Sequence, residues 1–97
     1  MSALWIAHVK VTDEEAYGRY VALASEAIAA GGGEILARGG RYVQLEGADR
    51  PRNVVVRYPS VEAAEAVYHS AKYQEALTHA VGASEREVVI VEEQSQS

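Results

Sequence analysis

Few side chains in this sequence carry obvious chemistry, and the most suggestive are an arginine, a histidine and a group of phenols. Arg38 stands directly before Gly39-Gly40. Glycines let a backbone or a ligand come close, and arginine offers a flat fork of donors to a carboxylate. The plainer reading of the same residues is a tight turn with a structural ion pair. His8 lies inside the apolar run Leu4–Val11. Its ordinary pKa of about 6.5 suits a proton carrier or a ligand contact. A histidine there serves equally as a core or interface residue satisfied by one neighbour. Tyr68-His69-Ser70 with Tyr73 places two phenols and a hydroxyl around a helix break. They either cap and pack, or form a pocket wall whose hydroxyls orient a ligand.

Other chemistries find no support. His69 and His79 are about 280° apart around a helix, so they make no metal pair. Glu26 and Glu34 have no spacing that marks an acid/base pair. The chain has no Cys, which excludes thiolate nucleophiles, thiolate metal sites and disulfides. It contains no nucleophile elbow, phosphate loop or dinucleotide fingerprint. Gly31-Gly32-Gly33 lacks both the strand before and the helix after that a phosphate cradle needs. No metal and no cofactor are expected.

Charge and length narrow the class further. Ninety-seven residues, 48% apolar and 24% charged, suit one soluble domain, expected over residues 1–93 with a disordered tail at 94–97. The net charge of -5 argues against a nucleic-acid partner. No apolar run approaches the roughly 18 residues of a membrane span, and no signal-like segment opens the chain, so the cytoplasm is the default. Arg38, Arg41, Arg50, Arg52 and Arg57 are five of the nine basic residues and face only Glu46 and Asp49 in that stretch, a local charge of +3 against -8 elsewhere. Such a cluster either steers a small anion or pairs with the acidic remainder.

The elements that must position these residues follow from periodicity. Leu4–Val11 reads as a buried strand. Thr12-Asp13-Glu14-Glu15 matches a capping box with Thr12 as N-cap. Tyr17, Tyr20, Val21, Ala24, Ala27 and Ile28 then repeat at helical spacing, and the triple glycine ends that helix. Glu34–Arg38 alternates as a short strand, and Arg41–Leu45 reads as another extended piece. Pro51 keeps the following loop out of any central ladder. Asn53–Tyr58 is a strand buried on both faces. Ser60 and Ser70 are N-caps for two short helices, the first being Val61–Tyr68 and the second carrying Tyr73, Ala76, Leu77 and Ala80 inward. Glu87–Val91 is the last strand, with residues from Glu92 onward frayed. The order is that of a ferredoxin-like βαββαβ sandwich, an antiparallel sheet with helices on one face and the first and third strands central.

Alternation along the strands separates two faces. Trp5, Ala7, Val9, Val54, Val56, Tyr58, Ile35 and Ala37 belong under the helices. Leu4, Ile6, Leu36 and Val55 then share the open face with His8, Arg38 and Arg57. Burying such aliphatic side chains is worth about 1.5–3 kcal/mol each, and a second copy can bury them by packing sheet on sheet. A twofold homodimer through the open face is therefore expected.

The segments Trp5-Ile6-Ala7-His8-Val9, Val11-Thr12-Asp13, Ala37-Arg38-Gly39-Gly40, Leu45-Glu46-Gly47, Tyr58-Pro59-Ser60 and Tyr68-His69-Ser70-Ala71-Lys72-Tyr73, in that order, resemble the DUF1330 family over nearly the whole chain. The resemblance implies a dimeric α+β barrel of the ferredoxin-like kind and no assigned activity. Ala71 stands where relatives often carry Pro, and Arg57 where they are often acidic or apolar. Arg38, Tyr68, Ser70 and Tyr73 match the recurring pattern and are taken as the ligand-binding set, with His8, Arg38 and Tyr68 the catalytic candidates. The expectation is a homodimer holding a small anionic or carbonyl-bearing molecule in a cavity between the sheet and the second-helix region, with cofactor-free proton-transfer or oxygen chemistry if it is catalytic. The alternative is a non-catalytic interaction module whose Arg and Tyr are structural.

Overall fold

The computed structural model describes residues 1–94. The elements run β1 (Ala3–Val11), α1 (Glu14–Ala30), β2 (Glu34–Arg38), β3 (Arg52–Tyr58), α2 (Val61–Tyr68), α3 (Ala71–Ala80) and β4 (Ser84–Glu92). The sheet order is β2-β3-β1-β4, and each neighbouring pair is antiparallel. The two most apolar strands, β1 and β3, therefore hold the centre, as the ferredoxin-like reading requires. The sheet does not close into a barrel. Among the described residues no helix is long and apolar enough to cross a membrane.

The core lies between one face of this sheet and the helices. Trp5, Ala7, Val9, Val56 and Tyr58 pack there against Tyr17, Tyr20, Ala24 and Ala27 of α1, Ala64 and Val67 of α2, and Tyr73 and Ala76 of α3. Helix starts follow their caps. Ser60 accepts from Ala63 N at 3.0 Å and Ser70 from Tyr73 N at 3.2 Å. The cap of α1 is Asp13 rather than Thr12: its carboxylate accepts from Ala16 N at 3.2 Å. Thr12 and Asp13 instead donate their backbone N–H groups to Ala83 O, at 2.8 and 3.0 Å, which draws the helix start one residue on. At the far end Gly32 takes φ +81, and a Cβ on Gly33 would meet Val56 Cγ1 at 2.9 Å. The glycines thus serve one left-handed residue and one close approach of backbone to sheet.

Three other expectations are corrected. Arg41–Leu45 is not a strand: 39–51 is irregular, and Val43 and Leu45 are 77% and 86% exposed there, so no ladder partner or core contact holds the segment extended. Glu92 and Glu93 are not frayed. Glu93 N donates to Ser2 O at 2.8 Å, and its carboxylate accepts from Ser2 Oγ and from Arg57 Nε, each at 2.7 Å. Gln94 follows, exposed and without regular structure, and the rest of the expected tail, 95–97, lies outside the described residues.

The third correction matters for the site. Strict alternation places Arg38 on the open face, yet β2 carries a bulge. Ile35 pairs with Val56, Ala37 with Val55 and Arg38 with Val54, so the register shifts between Ile35 and Ala37. One extra residue, Leu36, inverts the parity of everything after it. Arg38 thereby joins Val54 on the helix side, and Ala37 moves to the open face. That face keeps Leu4, Ile6 and Val55, half-buried, and gains Val89 and Val91 from β4, opposite Ile6 and Leu4.

Candidate functional site

Strand register alone assembles the site. Val9 pairs with Arg52 on one side and Arg86 on the other. Ala7, in the next row, pairs with Val54, which pairs with Arg38. Three arginines thus project from adjacent rows on the helix side of the sheet. Tyr17, Tyr20, Ala24 and Ile28, at helical spacing on α1, stand over them. The space between is a cavity on Trp5, Ala7 and Val9, with Ile35, Arg38, Arg52 and Arg86 in its wall. Its volume is about 40 Å³, or about 460 Å³ with the open mouth included. Small Ala7 and Ala24 leave this room, while larger residues on either side close it.

The inner end is built around Arg86. Its Nη2 donates to Tyr20 Oη at 2.7 Å and to Tyr73 Oη at 3.2 Å. The two phenol oxygens are 2.8 Å apart, and the guanidinium carbon lies 4.6 Å from the Tyr20 ring centre. Arg86 Nε is buried with no partner among the described residues. Burial opposes this charge, but the phenols of Tyr20, Tyr73 and Tyr17 outweigh that effect and hold its pKa above the ordinary arginine range. Burial pushes Tyr17 and Tyr20 the other way from ionisation, so both stay neutral phenols. Arg52 lies 5.9 Å from the Tyr17 ring centre.

No carboxylate answers these cations among the described residues. Arg50 is paired with Glu85 and Glu87, and Arg57 with Glu93 and Glu34. Arg38, Arg52 and Arg86 form no ion pair within the described residues. The basic cluster therefore divides: Arg50 and Arg57 pair with acids, Arg38 and Arg52 join Arg86 around the cavity, and Arg41 stands exposed in the loop. An apolar, aromatic-walled recess with permanent positive charge and neutral donors suits an organic anion.

The residues singled out from sequence do not all meet. Arg38 is exposed at the cavity mouth. Tyr73 is wholly buried, and its hydroxyl belongs to the Arg86 cluster. Tyr68 packs on Trp5 and Tyr73, with ring centres 5.9 and 5.4 Å away, and lines a second recess with Glu65, His69, Val88 and Ile90. Arg86 borders both recesses, so it stands between Tyr68 and the cavity of Arg38. Ser70 is occupied by its helix: besides capping α3 it donates to Val67 O at 2.7 Å. His8 is exposed on the opposite face of the sheet. Asn53 Nδ2 donates to Arg50 O, which turns Asn53 Oδ1 toward His8, so His8 Nδ1 carries the proton across that 2.6 Å contact.

Arg86, Tyr17, Tyr20 and Arg52 are the site residues that sequence reasoning missed. A signal for Arg86 existed. Extending β4 back to Ser84 puts Arg86 on the same face as Val88 and Ile90, a cation in an apolar alternation. Tyr17 and Tyr20 read simply as helix stripe, because periodicity registers the ring and ignores the hydroxyl. Among the described residues no group of three or more His, Asp or Glu gathers as a metal would need.

Solved structures share this fold at low identity. RPA0582 from Rhodopseudomonas palustris, of unknown function, is 18% identical at a TM-score of 0.76, covering 97% of this chain and 83% of its own. A dimeric ferredoxin-like protein of unknown function from Jannaschia sp. CCS1 is 16% identical at 0.73, over 96% and 100%. SnoaB, a cofactor-independent oxygenase from Streptomyces nogalater, is 11% identical at 0.62, over 98% and 95%. No curated protein matches the chain. The model of DUF1330, a domain of unknown function, matches residues 2–94, and the chain belongs to that family.

Proposed function

We propose that this protein is a cytoplasmic homodimer that binds a small organic anion, a carboxylate or a carbonyl compound with enolate character, in the cavity between α1 and the sheet. The observation that carries this reading is the set of three inward arginines without a carboxylate partner around an apolar recess. Arg38 takes the ligand's outer oxygen at the mouth. Tyr73 acts through Tyr20, Ser70 holds the α2–α3 junction that places Tyr73, and Tyr68 walls the neighbouring recess. His8, on the far face, belongs to the dimer interface rather than to this cavity. The open-face row of Leu4, Ile6, Val55, Val89 and Val91 supports the dimer, as does the likeness in fold to the dimeric Jannaschia protein.

A catalytic version of this reading draws on the fold shared with SnoaB. Arginines and neutral phenols stabilise an enolate or carbanion, which is the intermediate that proton transfer or direct reaction with oxygen requires. The deciding experiment is a thermal-shift series of α,ω-dicarboxylates of growing apolar length, whose two heads can reach the inner end and Arg38 together, against wild type and Arg38→Ala. Stabilisation that rises with apolar size and weakens at least fivefold in Arg38→Ala is expected. Equal affinity in the variant, or no shift with any carboxylate at millimolar concentration, overturns the proposal and favours a purely structural module.

A further inference from the structure

Resting on the anion-site reading above, we infer that the inner end of the cavity is an oxyanion pocket formed by the Tyr20 hydroxyl and the Arg86 guanidinium, selecting ligands whose buried head only accepts hydrogen bonds. Arg86 Nη2, Tyr20 Oη and Tyr73 Oη form a triangle with sides of 2.7, 2.8 and 3.2 Å. Arginine can only donate, so both phenol oxygens accept from it. Two phenol protons remain, and a single edge, the one between the phenols, can use one of them. The other must leave the triangle.

Burial decides which proton leaves. Tyr73 is 0% exposed and has no further hydrogen-bond partner among the described residues, so an outward proton there would be stranded, an unfavourable arrangement. Tyr20 lines the cavity and Tyr73 does not. Tyr73 therefore donates to Tyr20, and the Tyr20 proton is directed into the cavity. Next to it, Arg86, which also lines the cavity, supplies full positive charge. Both groups at this end are donors. A carboxylate or an enolate oxygen satisfies them. An ammonium head meets only repulsion, and an alcohol leaves the charge unanswered.

Three probes with one apolar body separate the possibilities: hexanoate, 1-hexanol and hexylammonium, titrated calorimetrically into the full chain. Hexanoate should bind at least about tenfold tighter than hexanol, and hexylammonium should not bind. Tyr20→Phe, which keeps the ring, should weaken hexanoate about tenfold and leave hexanol within twofold. Arg86→Met should abolish the preference for the carboxylate; should it fail to fold, Tyr20→Phe alone carries the comparison. Hexanoate bound with wild-type affinity by Tyr20→Phe, yet lost in Arg38→Ala, overturns this inference and leaves the anion at the mouth. Failure of hexanoate to bind wild type overturns both.

Discussion

Two tyrosines flank Trp5 in the core and should respond to the same substitution with opposite signs. Tyr58 is 1% exposed, and its hydroxyl has no partner among the described residues. Burial pushes its pKa up to about 12, with a smaller contribution from Tyr73. A buried hydroxyl without a hydrogen bond carries a desolvation penalty of about 1–3 kcal/mol. Deleting the oxygen opens roughly 15 Å³, which at about 24 cal/mol per Å³ returns only about 0.4 kcal/mol of that gain. Tyr58→Phe should therefore stabilise the fold by about 1 kcal/mol or more, raising Tm by roughly 4–8 °C per kcal/mol in a chain of this size. Tyr73→Phe removes a hydroxyl bonded to both Tyr20 and Arg86, and should destabilise by about 1 kcal/mol. Urea titrations at matched protein concentration compare the pair, since the proposed dimer would make midpoints concentration-dependent. Loss of more than about 0.5 kcal/mol in Tyr58→Phe would mean the hydroxyl is satisfied, and the orphan-phenol reasoning would be wrong.

Alkaline stability tests the phenols together. Tyr17, Tyr20 and Tyr58 have folded pKa values raised above the usual 10, chiefly by burial. Stability is then fully present below that value and falls as pH rises toward the folded pKa, by about 1.4 kcal/mol per pH unit for each phenol. For Tyr58 the window is 10 to about 12. Absorbance at 295 nm should show these phenols ionising only as the protein unfolds; free titration near pH 10 with unchanged urea midpoints would contradict the burial. Ile6→Glu places a charge in the middle of the open face, opposite Val55 and Val89, and should halve the sedimenting mass at micromolar concentration. A monomeric wild type, or a variant dimerising as before, would remove the open-face argument.

How much of this was legible in the sequence varies with the physics behind each feature. Strand centrality came from Val54-Val55-Val56 and the run before Val11, because continuous apolar stretches must be covered twice. The serine caps at 60 and 70 were readable because capping is local. The bulge was not: nothing in Glu34–Arg38 distinguishes five strictly alternating residues from four plus one extra, and pairing with β3 decides between them. That single misplacement carried Arg38 to the wrong face. Arg86 is hidden from a reading that starts the last strand at Glu87, three residues beyond its true start at Ser84, because the cation then falls in a loop. The meeting of Tyr20 from α1, Tyr73 from α3 and Arg86 from β4 is long-range and has no spacing that a linear reading can detect.

Trp5 lies on the cavity floor, 5.1 Å from the Tyr73 ring centre, and is the sole indole of the chain. Its emission consequently originates from one known location, beside the groups proposed to receive the guest. An incoming anion that displaces solvent there or shifts the neighbouring phenols alters the polarity around that indole. The unlabelled protein thus carries a built-in optical gauge, and occupancy can be followed in real time by exciting a single chromophore.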